Sequence, residues 1–249
     1  MPPYLIDEIR YCAGHARSLL DPRALNTSRN AAIDLAIVLG GITLAWVLTR
    51  WLIYPALAIP DYAPLIPRPI TGFLVAWFVL HWRGELWDSL GLRKPASWPR
   101  AIAIAVALYA VDYGVSEWVV PQIAAVVHPV QRPSFLGYVH GNVTGLMTWI
   151  AISWIVGGLF EECLFRGFLL NRVEKALGGG AFAIAAAIVA QAILFGSLHL
   201  YGGTFAFLYA SLFGLTHGIF YVLGGRNLWP LIFVHGAVDT VGIWGVYSG

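Results

Sequence analysis

Four ionisable side chains late in the chain sit where water-soluble proteins keep none, inside long apolar runs: Glu161, Glu162, His199 and His235. The two acids belong to Gly157-Gly-Leu-Phe-Glu-Glu-Cys-Leu-Phe-Arg-Gly167, His199 closes Phe195-Gly-Ser-Leu-His199, and His235 opens His235-Gly-Ala-Val-Asp239. A charge within a membrane span costs ~2.5 to 3.5 kcal/mol on insertion scales, so each needs a partner or a purpose. Helical spacing sorts them. Glu162 and Arg166 are four residues apart, the acid first, so they can neutralise one another on one face. Glu161 lies about 100° further round the helix with no obvious local partner. His235 and Asp239 again share a face. A free carboxylate and two imidazoles in apolar surroundings are the parts needed to hydrolyse an amide. One group takes a proton from water, one orients that water, and one donates to the oxyanion as it forms.

The elements that position these groups are membrane helices. Hydrophobic residues make up 59% of the 249 and charged residues 11%, against about 25% charged in an ordinary soluble domain. With a mean hydropathy of +0.72, the chain divides into apolar runs at about 31–55, 65–82, 101–123, 143 to the acidic pair, 181–200, 205–223 and 228–247. Runs of this length predict an all-α bundle of about seven spans, six to eight, rather than the alternating pattern of a membrane barrel. The second run is the weakest, because Pro64, Pro67 and Pro69 crowd its start. Residues 1–30 read as a cytoplasmic or interfacial segment, with a short surface helix over 4–20. Residues 31–142 read as N-terminal spans and 143–249 as the catalytic core.

Eleven of the 15 Lys and Arg residues fall on one side if seven spans alternate, which predicts a cytoplasmic N-terminus in the plasma (inner) membrane. A net charge of +2 without any basic tract excludes nucleic acid as a partner. Two cysteines, Cys12 and Cys163, give no disulfide framework, and a thiol buried in apolar surroundings is inert. No cleavable signal peptide is read, since charges interrupt every apolar run before Arg29.

The three segments resemble the three motifs of the CPBP family, the CAAX proteases and bacteriocin-processing enzymes also called ABI: E-E-x-x-x-R, F-x-x-x-H and H-x-x-x-N/B. Glu161 to Arg166, Phe195 to His199 and His235 to Asp239 fit them in order, over about 143–246. The resemblance implies that Glu161 is the general base, that His199 holds and activates the water, that His235 and Asp239 contact the carbonyl oxygen or order the site, and that Glu162 with Arg166 is a structural ion pair. Asp239 departs from the family's usual Asn, and an ionised Asp cannot donate to an oxyanion. Either it is protonated or it orients His235. The family admits a metal-free glutamate peptidase or a metalloendopeptidase. The Glu162–Arg166 pairing favours no cofactor, and zinc, if used, would fall to Glu161, His199 and His235.

The implied activity is that of an intramembrane endopeptidase acting on a membrane-embedded or lipidated peptide, by CAAX-type cleavage, peptide maturation or sorting-tail removal. The alternatives are a non-catalytic immunity factor or scaffold, and a proton-coupled transporter. Transport would favour an inverted repeat and broken helices in both halves, and neither is visible. His217, outside the motifs, reads as a packing or hydrogen-bonding residue, and Asp112 and Glu117 have no assigned role. Helix rise poses one difficulty. From the nearest cytoplasmic ends His235 lies about 12 Å deep, Glu161 about 20 Å and His199 about 27 Å, yet one site requires that they meet.

Overall fold

A computed structural model describes residues 22–53, 67–127 and 137–249. The surface helix expected over 4–20 lies outside the described residues. Within them, seven helices alternate in direction. Helix α1 starts at Pro22 and has a membrane-length portion Thr27–Leu52, α2 is Pro67–Arg83, α3 is Trp98–Val126, and α4 is Val143–Ala176. Helices α5 (Gly180–Ser197), α6 (Leu200–Leu223) and α7 (Trp229–Ser248) follow. No strand occurs among the described residues. Six of the seven are long and apolar enough to cross a membrane. The exception, α2, has 17 residues and reaches about 25 Å at 1.5 Å per residue, just under the ~30 Å of a hydrocarbon core.

The distribution of side chains is inverted relative to a soluble protein. Leu44, Phe78, Val106, Trp118, Phe182 and Trp244 are exposed, whereas Asp34, Glu162, Arg166, Arg172, Gln191 and His217 are buried. Lipid solvates the first set, and the second must find partners inside. Helix α4 is the axis. It packs against α2, α5 and α7, while α6 lies along α5 and α1 along α2. Its Leu164, Phe165, Phe168 and Leu169 join Val38 and Ile42 of α1, Ala76, Val79 and Leu80 of α2, and Phe195 and Phe213 in one core.

The apolar pattern predicts that the fourth run ends at the acidic pair, but α4 continues to Ala176, 34 residues in all, so the pair sits mid-helix. The chain does not break there because the run after Glu162 is again apolar. Around the pair the helix instead widens to i→i+5 bonding, over Ser153–Glu161 and Cys163–Leu170. Such wide turns are rare and recur at functional sites.

Small residues let α7 close on α4. A Cβ on Gly158 would stand 3.0 Å from the Ile232 carbonyl oxygen, and one on Gly236 would stand 2.6 Å from the Trp154 ring. Only glycine permits these approaches.

Candidate active site

Glu162 is the hub. It is fully buried, and its Oε1 accepts from Arg166 Nη1 at 3.0 Å, His217 Nδ1 at 3.1 Å and His235 Nδ1 at 2.8 Å. The i, i+4 pair expected on α4 therefore has two imidazoles added to it from α6 and α7. Arg166 lies over the Phe195 ring, 4.7 Å from guanidinium carbon to centroid. The Phe of F-x-x-x-H thus has a physical role, since its face carries the cation whose charge Glu162 balances.

His217 differs from the expectation of a residue outside the site. Its Nδ1 faces Glu162, and its Nε2 lies 3.1 Å from Asp112 Oδ2. Asp112 also accepts from Thr216 Oγ1 at 2.8 Å. So α3 reaches the centre through Asp112 and His217. One imidazole thus bridges two buried carboxylates, Glu162 and Asp112. Residue spacing carries no signal for this arm, because the two residues lie 105 positions apart and belong to no motif. Their one mark is being ionisable within apolar helices.

The remaining groups gather on the other side of the hub. His235 gives Nδ1 to Glu162, so its Nε2 points away, at 3.8 Å from both Glu161 Oε2 and Asp239 Oδ2. A Cβ on Gly157 would lie 3.1 Å from Asp239 Oδ2 and 3.2 Å from His235 Nε2, so the absence of that carbon leaves a gap in front of the imidazole. Gly157 precedes Glu161 by about one turn, and its run of glycines is the available clue.

His199 lies in the turn two residues past α5, with Nδ1 2.9 Å from the Phe195 carbonyl oxygen. That oxygen can only accept, so Nδ1 holds the proton and Nε2 is free to accept or to hold a water. Its ring lies 4.9 Å from Phe195, which is itself 6.2 Å from His235. The structure thus brings Glu161, His235 and Asp239 around one end of the hub, with His199 on the far side of the Phe195 ring.

The trio whose ligand atoms lie within 4.8 Å of one another is Glu162, His217 and His235, which shares only His235 with the trio expected from the sequence. Imidazole nitrogen and carboxylate oxygen suit zinc in type. Here, however, both imidazole Nδ1 atoms are already hydrogen-bonded to Glu162 Oε1, and Arg166 holds the same oxygen.

Fold and site define a class, a polytopic helical membrane protein with a buried carboxylate–imidazole centre. Residues 143–241 match the family model for Type II CAAX prenyl endopeptidase Rce1-like, in agreement with the CPBP/CAAX protease resemblance carried by the three motifs. The match spans all three motifs and supports a CAAX-type intramembrane endopeptidase in general. No curated protein and no solved structure matches the chain.

Proposed function

We propose that the protein hydrolyses a peptide bond in a membrane-associated polypeptide, with a water activated by Glu161 and without a metal. The observation that carries this reading is the position of Glu161. It alone of the acidic pair is outside the hub's hydrogen bonds, partly exposed, and close to His235 Nε2. Glu161 takes the proton from a water that His199 Nε2 holds. His235, fixed through Nδ1 by Glu162, presents Nε2–H to the developing oxyanion. The proton held by Glu161 then passes to the leaving amine as the C–N bond breaks, which leaves an acid and an amine and regenerates the carboxylate. Asp239, facing His235, serves to orient that imidazole, the second of the two roles expected for it.

The residues do not fit a cation as they stand. Binding one at Glu162, His217 and His235 would require both Nδ1 protons to leave and Arg166, which keeps its charge, to give up Oε1. No step therefore runs through a metal.

The test is cleavage of a panel of membrane-anchored peptides by purified protein in detergent, with and without chelator. Glu161→Gln is expected to lower kcat roughly 100- to 10,000-fold with an unchanged unfolding midpoint, His199→Ala to impair turnover as well, and chelator to have no effect. Cleavage by Glu161→Gln at the wild-type rate would remove Glu161 from its role, and loss of activity on chelation would restore the metal.

A further inference from the structure

Outside the carboxylate–imidazole centre, a cavity of about 260 Å³ lies between the segment leading into α3 and the turn from α6 to α7. Arg93 and Arg100 line it, and no acidic side chain does. Arg226, in the same turn, is instead paired with Glu174 at 2.6 Å. The two lining arginines are exposed and loosely held. Arg93 Nη1 reaches the Asp88 carbonyl oxygen at 3.3 Å, and Arg100 Nη2 reaches the Leu223 carbonyl oxygen at 3.4 Å. Each guanidinium has five N–H donors, so most of the donors of both remain available.

The walls are fixed without the arginine side chains. Asn227, itself buried, donates to the Arg93 carbonyl oxygen at 2.9 Å and accepts from the Trp229 amide at 3.1 Å. The Leu228 amide bonds to the Gly91 carbonyl oxygen at 3.0 Å. Helices α3 and α7 begin at this cavity and α6 ends there, so the helix dipoles largely offset and the two guanidinium groups set the sign. A preformed pocket with two unspent forks suits a phosphate, whose oxygens accept such forks in pairs.

Apolar surface continues from the pocket toward lipid. Ile104, Ala107 and Val111 follow Arg100 along one face of α3 at helical spacing, and Ala107 and Val111 are exposed. Leu223, whose carbonyl Arg100 reaches, is exposed as well. Trp98, at the start of α3, is exposed at the level where aromatic side chains meet headgroups. The cavity is smaller than the ~300 to 1,000 Å³ of clefts that enclose a whole ligand, so it fits a headgroup whose chains stay outside. We infer that it holds the phosphate of an anionic phospholipid, with the acyl chains along this face of α3. Basic pockets between membrane helices bind anionic headgroups in this way. The inference does not depend on the peptidase reading.

The test follows the unfolding midpoint of the full-length, delipidated protein in neutral detergent while phosphatidylglycerol, phosphatidylcholine or inorganic phosphate is titrated in. Phosphatidylglycerol is expected to raise the midpoint saturably. Phosphatidylcholine, whose choline cation the arginines repel, and inorganic phosphate at the same concentration should leave it in place. Arg93→Gln and Arg100→Gln, singly and combined, should each raise the half-saturating concentration at least about tenfold, the equivalent of one charge-assisted hydrogen bond. Their lipid-free midpoints should match wild type, because both side chains are exposed. Lys94→Gln removes the same charge beside the cavity without lining it, and should change the half-saturating concentration less than about twofold. An equal response to phosphatidylcholine, arginine variants that respond as wild type does, or an equal loss from Lys94→Gln would overturn the inference. A full response to inorganic phosphate would overturn the lipid and leave a site for the free anion.

Discussion

At the scale of single residues, the two imidazoles of the hub do different work, and substitution should separate them. His217 stands between two buried carboxylates and touches no reacting group. Removing it as His217→Leu leaves Asp112 with only the Thr216 hydroxyl and takes one donor from Glu162, so a loss of ~1 to 3 kcal/mol is expected, as for buried acceptors left short of a partner. His217→Leu combined with Asp112→Leu removes both partners and should regain most of that loss. Unfolding midpoints in detergent for the two single variants and the double variant check this, and strict additivity would show that the pair is not coupled. Gly157 tests the gap in front of His235. The added methyl of Gly157→Ala would stand 3.1 Å from Asp239 Oδ2 and 3.2 Å from His235 Nε2, where a substrate carbonyl must approach. Misplacing reacting atoms by about 1 Å can cost on the order of 100-fold in rate. A fall in kcat of at least about tenfold with a wild-type unfolding midpoint is expected from steady-state assay of this variant.

At the scale of helices, the contrast between what spacing reveals and what it conceals has a physical cause. Apolar run length locates α1 and α3 to α7 because lipid imposes the same demand on every span. The i, i+4 rule places Arg166 beside Glu162 because both lie on one helix. Contacts between helices carry no such local signature, so the arm from Asp112 through His217 and the bond from His235 to Glu162 are invisible to it. The end of α4 is misplaced for a related reason. A charged pair looks like a terminus when its partners, on α6 and α7, are unknown. Close approach of α4 and α7 holds His235 against Glu162, and it depends on glycine. Gly236→Ala would push a Cβ to 2.6 Å from the Trp154 ring, so the helices must part. Overpacking of this kind costs ~1 to 3 kcal/mol, and thermal unfolding together with cleavage assay should show both stability and turnover reduced, the latter because His235 is the adjacent residue.

At the scale of the whole molecule, the end of the bundle where α1 begins and α4 finishes is a clamp. Asp34 of α1 accepts two bonds from Arg83 and pairs with Arg172 of α4, while Arg172 makes a two-pronged contact with Glu85 at 3.2 and 2.7 Å. Arg172 is 1% exposed, so its counter-charges are not optional. Both of them lie outside the stretch that carries the family match, 143–241. What family likeness makes recognisable is thus not what can stand alone, for the matched stretch contains a buried cation and borrows its neutrality from α1 and the loop after α2, which carry none of the three motifs. A piece comprising 137–249 should aggregate when made by itself and become soluble in detergent when 1–127 is supplied as a second polypeptide. The two should copurify through the clamp, and Asp34→Ala in the first piece should end their association.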